Sequence, residues 1–208
     1  DLNGSQPTLF SALLGIRMNV GETWTDVYAS VVERLDADEE VKLLRKMVKQ
    51  VIVEMLGSGN SNRSGPASTK PPKNPLDFDD LQLFFEGDYS KRMYLQIQRA
   101  ALEVFPALRH LSKRNDFNFV SYHEAEILTL TLLRLKALGI PAYGVHDCVV
   151  VKQSDKHTAV ETYRSVIRDY VIKHQKANNH PNLNIEVSLT IEELNKDKVK
   201  LAGCYDAM

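Results

Sequence analysis

The segment Ile140-Pro-Ala-Tyr-Gly-Val-His-Asp-Cys-Val-Val-Val-Lys152 constrains this chain more than any other. Two short runs of strand-forming residues flank a His-Asp pair, His146-Asp147. A carboxylate is least expected in an apolar β run, because burying an unpaired charge costs several kcal/mol. At the tip of a hairpin, with a cation to hold, that cost disappears. The pattern therefore predicts a strand pair around Asp147 and points toward metal-ion chemistry.

The rest of the chain is mainly helical in pattern. Leu9 to Ile16 reads as a short apolar helix after Pro7. Trp24 to Leu35 carries Trp24, Val27, Tyr28, Val31 and Val32 at helical spacing, with Thr23 or Thr25 as its cap. Glu39 to Leu56 is a long helix with Leu43, Leu44, Met47, Val48 and Val51 as its buried stripe, stopped by Gly57-Ser-Gly59. Helical spacing resumes from Tyr89 to Lys113, interrupted at Pro106, and again from Ser121 to Leu138, with Ser121 and Glu124 as a capping box. Ser154 to Gln175 is a further helix, and Asn184 to Thr190 alternates as a strand. Helices outnumber strands, and no repeated βαβ unit is present, so the expected class is α+β.

Residues 57–75 hold three of the ten glycines and four of the eight prolines, with no acidic residue. Such a stretch buries too little apolar area to order itself and reads as a mobile loop. With Arg63, Lys70 and Lys73 it is either a plain surface connection or a track for a nucleic-acid backbone. Arg109, His110, Lys113 and Arg114 form a smaller basic patch. Tyr143, Trp24 and the Phe84-Phe85 pair read as core residues.

A formal net charge of -1 excludes a global basic field, so any nucleic-acid contact has to come from local patches. No apolar run spans a bilayer, and no signal-peptide layout opens the chain. The two cysteines, Cys148 and Cys204, suggest neither a disulfide framework nor a zinc ligand set, which makes a cytoplasmic location the default.

Two further elements carry chemistry. Asp1 opens Asp-Leu-Asn-Gly-Ser-Gln-Pro-Thr-Leu-Phe-Ser-Ala12, and with Asp147 it offers two carboxylates from distant segments, as a two-metal site requires. An aspartate there also serves as a simple cap. Lys42, Arg45, Lys46 and Lys49 form a cationic ridge on the long helix, suited to gripping a polyphosphate or simply to facing solvent.

In this order the elements resemble the palm and fingers of the single-subunit polymerase superfamily, the phage-type RNA polymerases and family A DNA polymerases. The start at Asp1 running into Phe10-Ser11-Ala12 resembles motif A, Arg45-x-x-x-Lys49 resembles motif B, and Val145-His146-Asp147-Cys148 resembles motif C. The resemblance spans Asp1 to about Tyr170. It implies a palm part at 1–35, a fingers-like helical region at 36–115 and a second palm part at 116–208. It implies template-directed nucleotidyl transfer from NTPs or dNTPs on a nucleic-acid duplex, with two Mg²⁺ ions held by Asp1, Asp147 and the Leu2 carbonyl. Lys49 and Arg45 would contact the incoming phosphates, with Lys46 beside them, and His146 would position the growing end. Gln6 occupies the place that senses the sugar, where DNA polymerases carry Glu and phage RNA polymerases Gly. One residue of Ser121, Tyr122, His123 and Glu124 would contact the duplex. Motif B departs from the family, whose Tyr-Gly eight residues after the Lys falls here on Gly57-Ser58, with Leu56-Gly57 one residue early. His-Asp-Cys lies nearer the RNA polymerases' His-Asp-Ser, a lean toward RNA. With no initiator Met before Asp1, the chain is expected to continue upstream or to be completed by a second subunit.

Overall fold

The computed structural model describes residues 5–20, 26–35, 41–65, 87–145 and 148–181. They fall into two compact units, Asp1–Ile16 with Phe119–Met208 and, between them in sequence, Arg17–Asn118. Helices predominate, and among the described residues there is one sheet, of two antiparallel strands. This is α+β in the general sense.

The discontinuous unit contains α1 (Ser5–Leu13), most of α5 (Phe117–Ala137), strands β1 (Ala142–Val145) and β2 (Cys148–Val151), a 3-10 turn (Gln153–Asp155) and α6 (Lys156–Ala177). Its interior gathers Phe10 and Leu13 of α1, Val120, Ile127 and Leu135 of α5, Val149 of β2, and Tyr163, Val166, Ile167 and Val171 of α6. The helix before the strands begins at Phe117, earlier than the expected Ser121. Asp116 supplies the cap, its Oδ1 accepting the Asn118 amide at 2.9 Å, which leaves Ser121 a turn inside the helix.

The continuous unit contains α2 (Ala29–Val32), α3 (Val41–Ser58), α4 (Gly87–Val104) and a 3-10 helix (Pro106–His110). On α3, Leu44, Met47, Val48, Val51, Ile52, Met55 and Leu56 are all buried at i, i+3, i+4 spacing, as an amphipathic stripe requires. α4 faces them with Met93, Tyr94, Ile97, Ala101 and Val104. Pro106 ends α4 as expected, because its ring lacks the amide that would continue the helix. The helix expected over Trp24–Leu35 is a short one. Asp26 Oδ1 accepts the Tyr28 amide at 3.0 Å and starts the turn there, while Trp24 and the suggested caps Thr23 and Thr25 lie outside the described residues.

α1, α3, α5 and α6 end alike, on Gly15, Gly59, Gly139 and Asn179, each at positive φ with its amide closed back on the last turn. So α3 stops at Gly59 within the expected Gly-Ser-Gly signal. Of the loop expected at 57–75, Gly57 and Ser58 are the last residues of α3, and 66–75 lie outside the described residues, as does the strand expected at Asn184–Thr190. Among the described residues, no helix is long and apolar enough to cross a membrane.

Candidate functional site

The hairpin is built by what precedes it. α5 closes at Gly139, whose φ of +72° turns the chain out of the helix, and Pro141 then prevents the helix from resuming. β1 pairs with β2 in the register Ala142↔Val151, Tyr143↔Val150, Gly144↔Val149 and Val145↔Cys148. Two positions, 146 and 147, separate the last registered pair. Strands therefore flank the His-Asp pair on both sides, as its apolar surroundings predicted, while His146 and Asp147 themselves lie outside the described residues.

Gly144 sets the seat of the hairpin on α5. A Cβ at Gly144 would stand 3.1 Å from Leu128 Cδ2 and 3.2 Å from Leu132 Cδ1, so only glycine lets the strand approach this closely without displacing them. Tyr143, expected in the core, is 73 % exposed, because in a two-stranded sheet the side chain beside Gly144 points to the open face. Cys148 is disulfide-bonded, where the sequence had suggested no disulfide framework. Sequence separation carries no information on the spatial approach that a disulfide needs.

α1 is fastened to α6 through its last carbonyls. The buried Gln175 donates from Nε2 to the Ala12 carbonyl at 2.6 Å, and His174 Nδ1 lies 3.2 Å from the Leu13 carbonyl. Gln6 is half-buried near the start of α1, and Asp1 and Leu2 lie outside the described residues. In the same unit, His123 of α5 is buried with Nδ1 2.6 Å from the Tyr170 hydroxyl, and its ring meets those of His174, Phe119 and Tyr122 edge-on. Burial, reinforced by His174, pushes the His123 imidazole down to about 4. Burial also lowers His174, and it pushes the Tyr170 phenol up to about 12, with Glu126 and Tyr122 adding to that rise. Of the four polar candidates at the start of α5, His123 is thus committed inward, Ser121 and Glu124 are half-buried, and Tyr122 is the exposed one, at 61 %.

Arg45, Lys46 and Lys49 lie in the other unit. Arg45 and Lys49 sit one turn apart on α3, Lys49 exposed and Arg45 and Lys46 half-buried. Arg45 Nε pairs with Asp26 Oδ2, and the guanidinium lies over the Tyr28 ring, 5.4 Å from its centroid. Asp26 therefore holds the Tyr28 amide with one oxygen and Arg45 with the other. Sequence spacing could not reveal this anchor, since Asp26 is 19 residues away. Gly57 is exposed in the last turn of α3 with open space around its Cα.

Among the described residues, no group of three or more His, Cys, Asp or Glu is placed to hold a metal ion, and the expected ligands Asp1, Leu2 and Asp147 are not among those residues. Sequence reading also passed over Lys91, Arg92 and Arg99 of α4. They border a depression of ≈ 450 Å³ together with Leu95 and Gln96, a face that the spacing 91, 92, 95, 96, 99 encodes. No family model, no curated protein and no solved structure matches the chain.

Proposed function

We propose that this chain supplies the palm and part of the fingers of a template-directed nucleotidyltransferase of the single-subunit polymerase type, making RNA in preference to DNA. The observation that carries the reading is the hairpin register, which leaves the two positions of His146-Asp147 between paired strands. A carboxylate that stays in solvent can meet a cation without being desolvated first. An HD-type phosphohydrolase would need its His-Asp pair on a helix, and strands flank the pair here.

The donor set of the reading consists of two carboxylates, Asp1 and Asp147, and the Leu2 carbonyl. These are hard oxygen ligands of the kind Mg²⁺ prefers. Bound there, a pair of ions would stabilise the attacking and leaving oxygens of an in-line phosphoryl displacement. The chain's own residues complete the work. Asp1 and Asp147 would hold and orient the cations. Lys49, exposed on α3, neutralises charge that develops on the departing pyrophosphate, with Lys46 beside it. By the resemblance, His146 would position the growing 3′ end, and Gln6 and Gly57 would contact the nucleotide. NTPs are the favoured substrate.

A primed template, Mg²⁺ and NTPs or dNTPs in parallel test the proposal. Extension is expected with NTPs, and Asp147→Ala is expected to abolish it while leaving the circular-dichroism spectrum intact. Full activity in Asp147→Ala would overturn the metal assignment. One observation favours a second reading, a non-catalytic palm-like subunit. Arg45 is engaged by Asp26 and Tyr28, so part of the motif B cation pair does structural work. Under that reading the wild-type chain extends nothing alone and gains activity only with its partner subunit.

A further inference from the structure

We propose that the solvent-facing side of α4 is a docking surface for the phosphodiester backbone of a nucleic acid. Lys91, Arg92, Gln96 and Arg99 are exposed on this side, and with half-buried Leu95 they line the ≈ 450 Å³ depression. Among the described residues, none of the three cations has an ion pair, unlike Arg45, Arg134 and Arg164, which pair with Asp26, Asp169 and Glu161. No described carboxylate lines the depression. The buried side of α4 is occupied by Met93, Tyr94, Ile97 and Ala101, so the helix cannot turn its cations inward to find partners. Residues 63–65 adjoin the same helix. Gln98 donates to the Arg63 carbonyl at 3.3 Å, and a Cβ on Gly65 would touch Lys91 at 3.8 Å.

The chemistry selects a nucleic acid over other polyanions. From Lys91 to Arg99 the helix rises about 12 Å at 1.5 Å per residue. A duplex presents one phosphate charge per roughly 1.7 Å of its axis, so a face of this length meets several phosphates at once. Three cations and a neutral amide donor suit phosphate oxygens, which position a duplex without reading its bases. A membrane-binding helix would carry exposed aromatic or large apolar side chains beside its cations. α4 exposes none among its described residues, Leu95 being half-buried. The inference deepens the polymerase reading and rests on it for the identity of the polyanion.

The test is anisotropy of a fluorescein-labelled duplex, without nucleotides or Mg²⁺, across a salt series, using the full chain. Lys91→Gln/Arg92→Gln/Arg99→Gln is expected to weaken binding about tenfold or more near 0.1 M salt and to reduce the salt slope by about 2 to 3, one increment per lost phosphate contact. The exposed pair Lys136→Gln/Lys173→Gln serves as the charge control and should leave both nearly unchanged. Unchanged binding in the α4 variant overturns the inference, as does an equal loss in the control. It is also overturned if the α4 variant loses binding to vesicles containing phosphatidylserine while its duplex binding stays as in the wild type. The two readings separate cleanly. Extension that survives with unaltered duplex binding in the α4 variant sinks the surface and spares the polymerase. α4-dependent binding in a wild-type protein that extends nothing does the reverse.

Discussion

His123 Nδ1 and the Tyr170 hydroxyl lie 2.6 Å apart and join α5 to α6, with the His174 ring 4.7 Å away between centroids. Burial holds His123 neutral, its pKa depressed to about 4 from an ordinary 6.5. An unfolded chain would protonate this histidine near 6.5. Between 6.5 and 4 the unfolded state therefore binds more protons, and stability falls as pH falls. The contribution is complete above pH 6.5 and lost progressively toward 4. Urea unfolding is expected to show about 2 kcal/mol of acid destabilisation across that window. In His123→Gln the slope should flatten. The same slope in wild type and variant would show that other groups carry the acid response.

Gly144 against Leu128 and Leu132 makes a graded prediction. The two leucine contacts are flexible side-chain ends, so Gly144→Ala is expected to cost about 1 kcal/mol or less. Gly144→Val forces the strand off α5 and should cost about 1–3 kcal/mol. If the hairpin tip carries the metal ligand, Gly144→Val also lowers extension more than its loss of stability accounts for. Thermal melts and single-turnover extension on the same preparations separate the two effects.

The Arg45–Asp26 pair is partly exposed, so its worth is modest. A double-mutant cycle with Arg45→Ala and Asp26→Ala is expected to give a coupling of about 1 kcal/mol. Arg45→Lys should recover little, because lysine cannot both pair with Asp26 and lie flat on Tyr28. A coupling near zero would return Arg45 to the phosphate-binding role alone.

At Gly15, φ is +65° and an added Cβ would lie 2.5 Å from the Pro181 carbonyl oxygen. The obstacle is backbone, which cannot rotate away. Gly15→Ala is expected to cost about 2–4 kcal/mol through strain and collision together, read from the urea midpoint at constant slope. Gly57→Ala is the matched control, with open space at its Cβ, and should be neutral or slightly stabilising.

Local pattern made much of the fold legible. The α3 stripe, the stop at Gly57-Ser-Gly59, the end of α4 at Pro106 and the strands around His146-Asp147 all follow from periodicity and backbone chemistry within a few residues. Where the reading went astray, an adjacent residue had decided. Asp116 set the start of α5, which the Ser121–Glu124 spacing placed too late. Tyr143 is apolar enough for a core, but its strand neighbour Gly144 took the face toward α5 and left it in solvent.

The sequence by itself determined the order of chemistry along this chain: an acidic start, a cationic helix, and a His-Asp pair between two apolar strands. Those follow from residue type, periodicity and turn chemistry, which act over a handful of neighbours. Only the tertiary structure decided which polar groups are used up inside the protein. His123 is spent on Tyr170, Gln175 on the Ala12 carbonyl and Arg45 on Asp26, while Lys91, Arg92 and Arg99 face outward without an ion pair among the described residues. The reason is physical. A buried polar group must find a partner, and in a folded chain that partner is chosen by proximity in space, which no local pattern encodes.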